Sequence, residues 1–253
     1  MYRVASVRVA AWLQEIGRIG RFLSDAARGL KDVHIWSALT AVQMRRIGVQ
    51  SIPIALFIAV FTGIVLALLS SYTLTGAVPL YFVGTLVGKA VMIELAPVLT
   101  GLALAGRVGA NIAAELGTMR VTEQVDALET LAYDPHSFLV IPRVLAATCM
   151  FPVVVALAMC VGIVSGWLTS LGLIHLSTPE FVKGLRLFYE FKDIWFALVK
   201  SASFGFVIAL IGCIKGLSAE GGAEGVGRTT MQAVVRGAQS ILVLDAFWAV
   251  VLL

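Results

Sequence analysis

The feature that most constrains this chain is the run over residues 52–72, twenty-one residues without a charge. About 20 mostly apolar residues in a helix cross the hydrocarbon core of a bilayer. In lipid only a helix or a closed barrel satisfies its own backbone. Four further runs have the same character. Residues 90–114 carry Glu94 and Arg107, and the uncharged stretch 144–179 is longer than one span. Residues 194–214 carry Lys200, and residues 233–253 carry Arg236 and Asp245. The expectation is an all-α integral membrane protein with five transmembrane helices.

Composition agrees. Hydrophobic residues make up 59% of the chain and charged residues 13%, where soluble domains carry about a quarter charged. The net charge of +4 does not argue for nucleic acid, because the basic residues follow the membrane runs rather than clustering on a polar domain. With the N-terminus placed in the cytoplasm, fourteen Lys and Arg fall on the inner side and five on the outer. That bias predicts a cytoplasmic N-terminus and a periplasmic C-terminus. Cys149, Cys160 and Cys213 lie inside apolar runs and read as buried filler. No metal spacing links His34, His136 and His175, and no cleavable signal peptide is expected ahead of residue 52.

Two units are expected. Residues 1–50 form an N-terminal amphipathic region and residues 51–253 the membrane domain. Within residues 1–31, Val9, Trp12, Leu13, Ile16, Ile19, Leu23, Ala26 and Leu30 recur at helical spacing opposite Arg8, Glu15, Arg18, Arg21, Asp25 and Arg28. This pattern fits a helix lying in the membrane interface or one packed on a soluble partner. Thr178-Pro179-Glu180 marks the start of a short outer helix, with Thr178 as its N-cap.

Three features could carry function. The first is a ladder of small residues down the second span: Gly101, Ala105, Gly109, Ala113 and Gly117. Helices in lipid pack through such close backbone approaches, either inside the chain or between two copies. The second is the charged segment that follows, expected as one helix over residues 118–131 that runs on from the second span and ends at Asp134-Pro135. Val121, Val125, Leu128 and Ala132 share one of its faces, and Glu123, Asp126, Glu129 and Thr130 lie mostly on another; Thr122 and Gln124 belong to the same candidate segment. It is either a docking element for a partner or a solvated helix on its own protein. The third is the set of charges at membrane depth. Glu94, Lys200 and Asp245 each cost about 2.5–3.5 kcal/mol at a bilayer centre. A Glu94–Lys200 pair joined by Asp245 would lower that cost, as a functional cluster or as a packing device. Gly222 to Thr229 reads G-x-x-x-x-G-R-T, but the P-loop requires Lys where Arg228 stands and a preceding strand. A flexible loop before the fifth span is expected there instead.

The motifs Glu94-Leu-Ala-Pro-Val-Leu-Thr-Gly, Ala105-Gly-Arg-Val-Gly-Ala and Ala114-Glu-Leu-Gly-Thr-Met-Arg-Val-Thr-Glu-Gln-Val-Asp-Ala-Leu resemble the MlaE (YrbE) permease family. These are membrane subunits of ABC-type phospholipid transporters that work with MCE proteins. The resemblance implies a homodimer in a bacterial inner membrane, two cytosolic ABC ATPase subunits and a periplasmic MCE-domain protein. In many members it also implies a small STAS-domain subunit. It implies movement of phospholipid between inner and outer membranes to maintain outer-membrane lipid asymmetry. The chain itself would be no enzyme and hold no cofactor or metal; ATP and Mg would sit in the ATPase. By the same resemblance, residues 118–134 hold the ATPase-docking element. Glu123 and Gln124 would make polar contacts, while Val121, Val125 and Leu128 would fill a groove. Some members place Arg before the residue matching Glu94, where this chain has Ile93. Leu66, Leu69, Tyr72 and Leu74 are candidate acyl-chain contacts, although facing bulk lipid explains them equally. The rival reading is an ion-coupled secondary transporter of an amphiphilic substrate, with Glu94, Lys200 and Asp245 as coupling charges.

Overall fold

The structure is a computed structural model that describes residues 33–74 and 78–252, together with residues 17, 20, 22, 24, 28 and 29. The amphipathic segment read over residues 1–31 therefore lies almost wholly outside the described residues. Among the described residues every regular element is helical.

Helix α1 (Val33–Ile47) leads through a 3₁₀ turn, Val49–Ser51, into α2 (Ile52–Thr73). The second long rod comprises α3 (Phe82–Ala90), α4 (Ala96–Leu104) and α5 (Ala110–Val121), joined by π-helical turns at Val91–Leu95 and Ala105–Gly109. A short α6 (Gln124–Thr130) follows. A third π-turn, His136–Val140, opens α7 (Ile141–Gly172). Then come α8 (Thr178–Leu187), α9 (Phe191–Leu217) and α10 (Gly222–Leu252). Five stretches are long and apolar enough to cross a membrane: Trp36–Thr73, Phe82–Val121, His136–Gly172, Phe191–Leu217 and Gly222–Val251.

Three of the irregular turns sit directly before a proline, at Pro53, Pro97 and Pro142, each in the first two positions of the helix that follows. Proline has no N–H to give the carbonyl four residues back, and its ring crowds that carbonyl. A local change of pitch relieves the clash and lets the rod continue. The Ala105–Gly109 turn has no proline; two glycines lie within it.

Helix α7 is central, packing on α1, α2 and α9, while α5 lies between α9 and α10. Buried side chains form two clusters along the bundle. One, toward the α6 end, includes Leu104, Leu116, Val125, Phe151, Phe204 and Ile208. The other, toward the α8 end, includes Val83, Val87, Val91, Val155 and Phe181. The first and fifth spans are the least covered by the rest of the chain.

The structure corrects several sequence expectations. The stretch Gly222 to Thr229 is the first two turns of α10 rather than a loop; the link from α9 is residues 218–221, and Gly221 and Gly222 stand at positive φ. The N-cap of α8 is Ser177, one residue earlier than read. Its hydroxyl and the Glu180 carboxylate form a reciprocal capping box. Cys149 and Cys160 are exposed on the surface of α7, so of the three only Cys213 is buried filler. Past Asp134-Pro135, where the preceding helix is expected to end, His136 opens the third span.

Candidate functional site

The site with the most concentrated charge is built where α9 and α10 meet the first π-turn. Pro97 cannot donate to the Ile93 carbonyl, which a regular helix would pair with residue 97. The turn shifts the ladder, so that the Ala96 N–H reaches Val91 instead. The Ile93 carbonyl is left open, and the Lys200 ammonium donates to it at 3.4 Å. The same ammonium donates to Glu94 Oε2 and lies 2.5 Å from Asp245 Oδ1, an ionic contact without hydrogen-bond alignment. Lys200 is fully buried, while the Glu94 and Asp245 side chains are 44% and 22% exposed.

One buried cation thus holds three acceptors supplied by two other elements. The set carries one positive and two negative charges, so its open side is acidic. Ammonium donates three hydrogens and accepts none; the Ile93 carbonyl and Glu94 take two hydrogen bonds, and Asp245 adds an ionic contact. Beside the set, Trp248 Nε1 donates to Ser203 Oγ at 3.0 Å, a second polar tie between α9 and α10.

The small-residue ladder lies on the buried side of the same rod. Gly101 faces Phe204 and Ile241, and a Cβ built there would stand 3.1 Å from the Phe204 ring. Ala105 and Ala113 are fully buried. Gly109 faces Ile208, and Gly117 faces Ala219 and Val226. All five pack against α9 and α10 of the same chain. The approach is closest at Gly216 of α9, where a Cβ would come within 2.7 Å of Leu116 Cβ and 2.9 Å of the Ala113 carbonyl.

The segment after the second span is not a continuous helix. Helix α5 ends at Val121, and Glu123 takes a left-handed conformation at φ 60° before α6 begins. Arg120 and Asp126 are bridged across the break, and Gln124 Nε2 donates to Thr122 Oγ1 at 3.0 Å. Val125 is buried in this chain's own core, with Leu128 and Met119 packed beside it. It therefore cannot fill a groove on another protein, a correction to the reading of the amphipathic face. Val121 is half-buried, while Thr122, Glu123, Gln124, Asp126 and Glu129 stand exposed. Leu131 and Tyr133, which the periodicity did not single out, are exposed apolar residues at the far end of this segment. The signal for them was their place on either side of the last periodic position, Ala132, before Asp134-Pro135.

Asp134 itself caps the third span. Its Oδ1 accepts the His136 N–H and its Oδ2 the Ser137 N–H, each at 3.1 Å, and Ser137 Oγ donates to Oδ2 at 2.7 Å. Partial burial pushes its pKa up, but these hydrogen bonds outweigh it and hold the carboxyl below the usual range.

Of the candidate acyl-chain contacts, Leu69 and Tyr72 are exposed, whereas Leu66 and Leu74 pack on the cluster at the α8 end. A second group of charges went unremarked in the sequence. Glu115 of α5 accepts from Arg46 at 3.3 Å and forms an ion pair with buried Arg143 at 3.2 Å, and Arg107 donates to the buried Ser51 hydroxyl. Sequence spacing cannot bring residues 46, 115 and 143 together; only the packing of three helices does.

A family model described as Permease MlaE matches residues 40–251. A probable ABC transporter permease protein of Synechocystis is 40% identical over 210 residues, covering 82% of this chain and 79% of that protein. A probable ABC transporter permease protein of Rickettsia felis is 38% identical over 237 residues, covering 94% and 91%. The chloroplast protein TRIGALACTOSYLDIACYLGLYCEROL 1 of Arabidopsis thaliana is 34% identical over 206 residues, which is 81% of this chain and 59% of that protein. With five apolar spans and a family match that runs from α1 to the end of α10, the chain belongs to the MlaE family of ABC transporter permeases.

Proposed function

We propose that this chain is the membrane subunit of an ATP-driven transporter that moves phospholipids between inner and outer membranes. It acts as a homodimer in a bacterial inner membrane, and the α6 end of the bundle faces the cytoplasm. A cytosolic ABC ATPase docks on the exposed polar face around Glu123, Gln124 and Asp126, with Leu131 and Tyr133 at its margin. An MCE-domain protein sits on the periplasmic side, and a STAS-domain subunit accompanies the ATPase. ATP and Mg act in the ATPase, and this chain contributes no catalytic group.

The observation that carries this reading is one of connectivity. The rod that bears Glu94 in its first π-turn runs on to the α5–α6 break, and Arg120–Asp126 bridges that break. A displacement of α6 is therefore passed to α5 through a charged strut and reaches the seam packed on α9. The charge set at Glu94, Lys200 and Asp245 then faces a cavity between two copies, with Leu69 and Tyr72 on its wall. The name of the Arabidopsis relative contains a diacylglycerol lipid, in keeping with a glycerolipid substrate.

The test is purification of the tagged full chain in mild detergent, with mass spectrometry of bound proteins and lipids. An ABC ATPase, an MCE protein and phospholipid are expected together, and reconstituted complex should move labelled phospholipid only with ATP. Transport by the chain alone under an ion gradient would overturn the proposal in favour of a secondary transporter.

A further inference from the structure

A cavity of about 280 Å³ lies between α1 and α5, toward the α6 end and remote from Lys200. Its polar lining is Gln43, Arg46, Gln50, Arg107, Asn111 and Glu115. Arg107 is thirteen residues from Glu94 along one rod, about 20 Å at the rise of a helix. In a hydrocarbon core about 30 Å thick, that separation carries Arg107 from the level of the charge set to near the opposite headgroup layer.

The charges there do not balance. Glu115 is already held by Arg143, which is 4% exposed and outside the cavity lining, as well as by Arg46. Two guanidinium groups thus pair with one carboxylate, and a third, that of Arg107, lines the same cavity. Arg107 makes one hydrogen bond, to a neutral hydroxyl. Each guanidinium has five N–H donors in a planar fork, so most of the donor capacity of Arg46 and Arg107 has no acceptor among the described side chains. Three amide side chains add further donors, and Ile47, Val108 and Ile112 supply apolar wall. A compact anion with several oxygens attached to an apolar chain suits that combination, and guanidinium binds phosphate oxygens through paired, charge-assisted bonds.

We propose that this cavity binds the phosphate of a phospholipid drawn from the leaflet on the α6 side, a site separate from the charge set near Glu94. It rests on the lipid reading above and deepens it, giving the permease a headgroup contact in each leaflet. Free phosphate ion shares the chemistry, so the test must separate the two.

The full chain carrying benzoylphenylalanine at Asn111 is placed in nanodiscs with phosphatidylglycerol, irradiated, and analysed for lipid adducts by mass spectrometry. An adduct is expected at Asn111. It should fall about tenfold in R46Q/R107Q, the loss of one or two charge-assisted bonds, and persist in R46K/R107K. Millimolar inorganic phosphate should not displace it. A second probe at Phe61, exposed on α2, reports bulk lipid and should label equally in every variant. If the Phe61 signal is lost too, the arginine variant has not folded, and Gln50→Trp, which occupies the cavity and keeps both arginines, decides: the Asn111 adduct must drop. Labelling that survives both Arg→Gln and Gln50→Trp, or that free phosphate removes, overturns the proposal. The readout needs no ATPase, so failure to recover an ATPase in purification would sink the transporter reading and leave this result standing.

Discussion

Lys200 shows how one residue can tie together three elements. It is fully buried, and its partners are a carbonyl opened by Pro97 and two carboxylates from different helices. Removing one member of a buried ion pair costs about 3–5 kcal/mol because the other charge is stranded; exposure of Glu94 places the cost here at the low end. Lys200→Met is therefore expected to lower the melting temperature in detergent and to abolish ATP-driven lipid transport. Exchanging the charges, with Glu94→Lys and Lys200→Glu together, should restore part of the stability lost in either single variant. No recovery would dismiss pairing as the reason these residues are there. Asp134 offers a test by pH. Its folded pKa is lowered from the ordinary 3.8, so its carboxylate contributes stability that is fully present above that value and is lost as pH falls through the folded pKa. Asp134→Asn should leave a chain whose stability no longer declines through this group in acid. At neutral pH the variant should be weaker by about 1 kcal/mol, the usual worth of an N-cap, as read by thermal denaturation at pH 7 and below pH 4.

At the scale of elements, the break between α5 and α6 separates two roles that the sequence pattern had merged. A left-handed residue other than glycine costs about 1–2 kcal/mol, and Glu123 bears that cost at φ 60°. Glu123→Gly is expected to keep or raise thermal stability while weakening ATPase stimulation, because the strain goes and the exposed carboxylate goes with it. Loss of stability would show that the Glu side chain holds the turn. Val125→Ala should behave oppositely, lowering stability by about 2 kcal/mol as a buried truncation does, and crosslinkers at that position should capture no partner. The α5–α9 seam is the other element-level device. Gly216→Val pushes a side chain into Leu116 and the Ala113 carbonyl. It should therefore separate the helices and block transport even where the protein still inserts. Limited proteolysis of membranes distinguishes that case from failed insertion.

For the whole molecule, the uneven covering of the spans is the informative property. The second and fourth spans are enclosed by the chain, whereas the first and fifth present long apolar faces, among them Phe57, Phe61 and Leu69 on α2 and Val243, Phe247 and Val250 on α10. If a second copy covers part of that surface, the purified complex should contain two permease chains by native mass spectrometry. Cysteine pairs engineered on α10 should then crosslink between copies. A single permease chain per complex would remove the cavity that the proposed mechanism requires.

The number and the places of the spans were legible in the amino-acid order. Apolar runs of this length leave the backbone no other way to satisfy its hydrogen bonds in lipid. The meeting of Glu94, Lys200 and Asp245 could also be inferred, because charges at membrane depth must find one another. What lay beyond the sequence was everything that depends on which side of a helix meets which neighbour. The periodicity of residues 118–131 showed an apolar face, but not that Val125 would be covered by its own chain, nor that the helix would break at Glu123. Likewise Arg46, Arg107, Glu115 and Arg143 look like unrelated charges until three helices pack. Spanning is a property of a segment in its solvent and can be summed residue by residue along the chain. Burial, pairing and docking are relations between segments, and only the tertiary structure supplies the second partner.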